Sequence, residues 1–143
     1  MNDEERLEEI EELIAKLAEE SLDALIVVEG RKDLHALRSM GVKGEIKMVN
    51  VGNAIFNLCE EISAKHERVI ILTDWDARGG RLCCALQDGL KACGVIPDIE
   101  FRARLAMLTK KGIKDVEGLP GVISFLERRI GGMGRGAERG KAQ

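Results

Sequence analysis

Val69-Ile-Ile-Leu-Thr-Asp-Trp-Asp76 (VIILTDWD) starts as a strand and ends in two carboxylates. Its first four residues are apolar without a break and mostly β-branched. A strand with no polar side suits a parallel sheet covered on both faces. Ala24-Leu-Ile-Val-Val-Glu29 repeats the pattern and is followed by Gly30. Working outward, a helical stretch covers Arg31 to Met40, with Leu34 and Leu37 apolar and Gly41 and Gly44 ending it. Glu45 to Val51 reads as a second strand and Asn53 to Lys65 as a second helix. Arg68 to Thr73 is the third strand. Gly80 to Cys93 is a third helix, with Leu82, Ala85, Leu86 and Leu90 spaced for burial and Gly94 closing it. Pro97 to Ala103 is expected to be a fourth strand. Such alternation indicates β-α-β units around a mainly parallel four-stranded sheet, with helices on both faces.

Residues 3–20 carry Leu7, Ile10, Leu13, Ile14 and Leu17 at three- and four-residue steps, the pattern of an amphipathic helix. Asn2 or Asp3 can cap it, and its early acids suit the positive end of the helix dipole. Its stripe is expected to pack on the rest of the chain, with dimerisation as the other use. The organisation that follows is an acidic helix over residues 1–21 and an α/β domain over 22–103. That domain continues to about 130 through a helical region near Val116 to Arg129. A short helical turn is expected at Ala106 to Lys111. Residues 131–143 (GGMGRGAERGKAQ) lack apolar periodicity and read as a flexible basic tail.

The 143 residues fit one compact domain, and their balance of apolar and charged side chains is that of a soluble globular protein. No apolar run approaches the ~20 residues that span a bilayer, and the acidic N-terminus is unlike a signal peptide. Residues 1–23 hold ten acids and two bases, whereas 128–143 hold five bases and one acid. A basic end suits nucleic-acid contact, although solvated tails are often basic without binding anything. Cys59, Cys83, Cys84 and Cys93 form no CxxC pair, and His35 and His66 complete no zinc spacing. The cysteines therefore read as small apolar groups of a cytoplasmic protein.

In open parallel sheets, ligands sit beyond the carboxyl ends of the strands. Strand one ends in Glu29, and strand three ends in Asp74 and Asp76. Alternation along an extended strand aims Asp74 and Asp76 to one side. With a strand order of 2-1-3-4, all three carboxylates converge. They would repel one another unless a cation joined them. All-oxygen donors favour a hard ion, Mg2+ or Mn2+, that keeps sites open for phosphate oxygens. Taken alone, a D-x-D is more often a cap or turn than chemistry. Its pairing with Glu29 strengthens the chemical reading.

The stretches VVEGRKD (Val27 to Asp33) and TDWDARGG (Thr73 to Gly80), with Glu29 and Asp74 separated by 45 positions, resemble the two acidic motifs of the Toprim domain. That domain is shared by primases, type IA and type II topoisomerases, nucleases of the overcoming-lysogenization and ribosomal RNA maturation types, and recombination-repair proteins. The likeness covers about residues 22–103, and the length is similar to that of small stand-alone, archaeal-type Toprim proteins. It implies a three-layer α/β/α, Rossmann-like fold, with Glu29 as general acid or base and Glu29, Asp74 and Asp76 around one or two Mg2+ ions, for which Mn2+ can substitute. Gly30 then lets backbone approach, Asp33 supports the site as the second acid of the glutamate motif, and Gly79 matches the glycine after D-x-D. The chain departs from the motif at Ala77, where many members carry Arg.

Arg31, Lys32, Arg78 and Arg81 lie near this site in sequence and are candidates for phosphate or nucleic-acid binding, with solvated surface an equal alternative. Trp75 could stack on a base, but alternation turns it away from the acids, so packing is favoured. Asp115 and Glu117 could add ligands, with cap or turn duty favoured. The chain has no tyrosine and therefore no topoisomerase nucleophile. The expected function is Mg2+-dependent cleavage or processing of RNA or DNA phosphodiesters. The alternative is a non-catalytic, nucleic-acid-binding module acting with a protein partner. A phosphatase with Asp74 as nucleophile ranks third, because the D-x-D follows the third strand and no later DD pair exists.

Overall fold

The computed structural model of the chain describes residues 1–49, 54–109 and 111–142, with side chains placed through residue 132. Strand β1 (Leu25–Val28) lies between β2 (Ile46–Met48) and β3 (Val69–Ile71) in a parallel sheet of order β2-β1-β3. Ile26 pairs with Ile46 on one side and Ile70 on the other. The unbroken apolar runs are buried on both faces. Leu25, Val27, Val69 and Ile71 pack toward α3 (Ile55–Lys65) and α4 (Ala77–Ala92). Ile26, Val28, Ile70 and Leu72 pack toward α1 (Asp3–Glu20), α2 (Arg31–Ser39), α5 (Glu100–Thr109) and α6 (Leu119–Ala142). The sheet is thus the middle of three layers, and the chain is an α/β protein.

The acidic N-terminal segment forms α1. Asn2 begins it with a capping box: its side-chain oxygen accepts from the Glu5 N–H at 2.8 Å, and the Asn2 N–H donates to the Glu5 carboxylate. Ile10, Leu13, Ile14 and Leu17 are buried against α5 and α6, so the apolar stripe packs within this chain. Each of these side chains stabilises that packing by about 1.5–3 kcal/mol relative to exposure.

The sheet corrects the expectation of four strands. Pro97 to Ala103 is not a strand. Asp98 meets β3 through a single parallel bridge to Ile70, its N–H donating to Val69 (2.8 Å) and its carbonyl accepting from Ile71 (2.9 Å). The Asp98 carboxylate then accepts the Glu100 N–H at 2.8 Å, and α5 begins. Phe101, Leu105 and Leu108 are buried at helical spacing. That period outweighs the short alternation of Ile99, Phe101 and Ala103.

Other boundaries also move. β2 is shorter than Glu45 to Val51, and the expected Val51 strand end and Asn53 helix start lie outside the described residues. α4 begins at Ala77 rather than Gly80, because Asp76 is its cap. Of the turn expected at Ala106 to Lys111, residues 106–109 belong to the second half of α5, Lys110 lies outside the described residues, and Lys111 is in a turn. α6 carries helical backbone through Ala142, into the stretch that reads as a tail. Gly41 and Gly94, which follow α2 and α4, have φ of 96° and 87°, the left-handed geometry that stops a helix cheaply only at glycine. Cys59 and Cys83 are buried as expected, whereas Cys84 is exposed. Among the described residues, no helix is long and apolar enough to cross a membrane.

Candidate functional site

Beyond their carboxyl ends, β1 and β3 send the chain to opposite faces, β1 into α2 and β3 into α4. Ligands of open parallel sheets sit in the crevice that such a divergence creates. Glu29 ends β1 at this crevice. Its Oε2 accepts the Asp74 N–H at 2.8 Å, continuing the β1–β3 ladder with a side chain in place of a carbonyl. Its Oε1 accepts from Arg78 Nη2 at 3.1 Å. Gly30 caps α2, and its N–H donates to Asp33 Oδ2 at 3.2 Å.

The loop after β3 is tightly folded. Asp76 caps α4, its Oδ1 accepting the Gly79 N–H at 2.7 Å, and its Oδ2 lies 3.3 Å from Lys114 Nζ. Thr73 Oγ1 donates to the Gly79 carbonyl at 2.9 Å. A Cβ on Gly79 would stand 1.9 Å from the Asp74 carbonyl oxygen, so this turn requires a residue without one. Trp75 packs with the α1–α2–α5 core; its backbone N–H donates to Lys114 (2.7 Å) and its indole Nε1–H to Ile113 (3.0 Å). Those two bonds draw residues 113–115 against the loop.

Asp115 arrives by this route. It caps the 3-10 turn Val116–Gly118, accepting the Gly118 N–H at 3.0 Å. Asp33, buried on the first turn of α2, accepts the Glu117 N–H at 2.9 Å and ties that turn to α2. Asp33, Asp74 and Asp115 consequently each present a carboxylate oxygen within 4.8 Å of the others. This is the set of three acids that the described residues bring together. It overlaps the expected set of Glu29, Asp74 and Asp76 at Asp74. Asp115 performs the cap duty expected of it and also joins the acids.

Electrostatics single out Asp74. Burial first, then the charges of Glu29, Asp33, Asp115 and Asp76, push its carboxyl up to about 7. Burial also raises Asp33, against the pull of the Glu117 and Gly30 N–H groups. Asp76 goes the other way, lowered mainly by the Gly79 N–H and further by Lys114. Among the described residues, the Asp74 carboxylate accepts no hydrogen bond, unlike those of Glu29, Asp33, Asp76 and Asp115. The three carboxylates of Asp33, Asp74 and Asp115 are all-oxygen donors of the kind a hard cation takes.

The basic residues are distributed unevenly. Arg78 is exposed but held on Glu29, and Lys32 is exposed and 3.9 Å from Glu117. Arg31 and Arg81 are exposed. Lys114 and Arg102 also belong to the site's surroundings, and sequence reading assigns neither. The Arg102 guanidinium donates from Nε to the Thr73 carbonyl (3.0 Å) and from Nη2 to the Asp74 carbonyl (2.7 Å).

Fold and site together define an α/β protein with an acidic crevice at the divergence of two parallel strands. The chain belongs to the UPF0292 protein family. It is 39% identical over 127 residues to a UPF0292 protein of Methanosarcina barkeri, covering 88% of each chain. A UPF0292 protein of Methanocaldococcus jannaschii is 30% identical over 131 residues, or 91% of this chain and 99% of that one. A solved structure of a protein from Aquifex aeolicus superposes with a TM-score of 0.63 at 29% identity, covering 74% of this chain and 94% of that one. No protein-family model matches the chain.

Proposed function

We propose that this chain is a Mg2+-dependent enzyme of the Toprim type that acts on phosphodiester bonds of nucleic acid, as a nuclease or RNA-processing factor. The observation that carries the reading is the meeting of Asp33, Asp74 and Asp115 within 4.8 Å beside Glu29, with the Asp74 carboxyl raised to about 7. Asp74, with Asp33 and Asp115, would hold the ion, and Asp76 and Glu29 border it. When bound, the cation neutralises phosphate oxygens and makes a water more acidic.

The chain's own groups do the rest. The Asp74 N–H fixes one oxygen of Glu29, and the exposed Arg78 side chain holds the other; once Arg78 turns to a phosphate, that second oxygen can take or give a proton at the crevice. α2 and α4 both begin here, so their N-terminal dipoles favour an anion. Arg31, Lys32, Arg78 and Arg81 supply charge for the backbone of a nucleic acid. The test is incubation of labelled single- and double-stranded DNA and RNA with Mg2+ or Mn2+. Wild type is expected to cleave, and Glu29→Gln and Asp74→Asn are expected not to. Cleavage that survives both substitutions together overturns the assignment.

One observation favours a second reading. Arg78 occupies Glu29, as it would in a non-catalytic metal- and nucleic-acid-binding module that acts with a partner protein. Salt-dependent binding without turnover identifies that case.

A further inference from the structure

Arg102 lies on the first turn of α5, in a stretch whose sequence gives no hint of a role at the site. It is half-buried, and among the described residues no carboxylate lies within 4.0 Å of it. A guanidinium in that position ordinarily finds an acid, and five acids crowd the crevice nearby. Instead it spends two donors on consecutive carbonyls, Thr73 at 3.0 Å and Asp74 at 2.7 Å. These carbonyls fall just beyond the end of β3, where the ladder no longer pairs them. A planar fork can take both at once, whereas an ammonium offers a single point.

The same two peptide units are held elsewhere as well. The Asp74 N–H is on Glu29 and the Trp75 N–H is on Lys114, while the Thr73 side-chain hydroxyl ties that residue to Gly79. Asp74 is therefore fixed on either side of its Cα by named contacts, while its carboxylate accepts none among the described residues. We propose that Arg102 is a positioning residue for the metal site: by holding the Thr73 and Asp74 carbonyls, it aims the Asp74 carboxylate at Asp33 and Asp115. The inference rests on the metal-site reading above. Groups behind a ligand that fix its direction typically contribute 10–100-fold to metal affinity.

The experiment is Mn2+ binding to the full chain, followed by the loss of the free-ion paramagnetic resonance signal, for wild type, Arg102→Lys, Arg102→Ala and the exposed control Arg104→Lys. Thermal melting in EDTA reports folding of each. Wild type and Arg104→Lys are expected to bind alike. Arg102→Lys, which keeps the charge but loses the fork, is expected to weaken Mn2+ binding at least tenfold while still melting cooperatively. Arg102→Ala is expected to weaken it further. Arg102→Lys with wild-type affinity overturns the positioning role, and so does a fall in melting temperature without a fall in affinity. Absence of Mn2+ binding by wild type overturns the metal-site reading itself and, with it, this inference. Arg102→Lys keeps the test decisive if Arg102→Ala does not fold.

Discussion

Removing the charge of Asp74 should stabilise the metal-free protein at alkaline pH, which is the opposite of the usual effect of deleting a polar group near a core. Its carboxyl stands at about 7 instead of 3.8 because burial and four neighbouring acids disfavour the charged form. A folded-state pKa above the unfolded value contributes stability that is fully present below the unfolded pKa. That contribution is lost as pH rises through the folded one. The window is therefore about pH 4 to 7. At about 1.36 kcal/mol per pH unit, the unscreened cost of ionising this group in the fold is about 4 kcal/mol. Asp74 is partly exposed, and solvent screening reduces this to about 2 kcal/mol. Asp74→Asn does not titrate and escapes the cost. In EDTA at pH 8 it should melt about 4–8 °C above wild type; the gap should narrow at pH 5 and close only below about pH 4. Saturating Mg2+ should reverse the order. Wild type gains about 2.7 kcal/mol at a hundredfold excess over Kd, and the variant gains little. Paired melting curves at pH 5 and pH 8, with and without Mg2+, decide it. An Asp74→Asn protein no more stable than wild type at pH 8 would falsify the reasoning, as would an equal gap at both pH values.

Gly79→Ala should cost about 1–3 kcal/mol in urea unfolding, because the added Cβ meets the Asp74 backbone carbonyl that Arg102 already holds. A cost below about 0.5 kcal/mol would mean that the loop is looser than described. Trp75→Phe removes the indole N–H bond to Ile113 and should cost about 1 kcal/mol. It should also speed amide exchange at residues 113–118 more than in the strands; uniform exchange would contradict the tether. Leu105→Ala should cost about 2–5 kcal/mol by equilibrium unfolding, because Leu105 is fully buried on α5. An effect near zero would return that segment to a solvent-facing element.

Sequence reading reaches the middle of the molecule better than its edges. Residues 25–28 and 69–71 are apolar throughout because both faces of the sheet are covered, and their two sets of side chains do part between two cores. The same logic misreads Pro97 to Ala103. Asp98 truly touches β3, but by one bridge, and the helix that follows is announced by the Asp98 carboxylate, which accepts the Glu100 N–H, and by Phe101, Leu105 and Leu108. Taking that stretch as a strand also hides Arg102, whose reach to Thr73 depends on α5. At the site, Glu29 and Asp74 are legible because strand ends lie together in an open sheet. Asp115 is legible as a cap, but its meeting with Asp33 and Asp74 depends on Trp75 pulling residues 113–115 inward, a contact between segments that no local spacing encodes. Asp76 shows the converse: its spacing suits a ligand, yet it is engaged by Gly79 and Lys114.

The most direct test of the metal-site account is a crystal structure of the full chain grown with Mn2+, with anomalous data collected at the manganese edge. The account predicts an anomalous peak bonded to Asp74 and shared with Asp33 or Asp115, with Glu29 beside it. A peak elsewhere, or none with Asp74 left unliganded at saturating Mn2+, would contradict it.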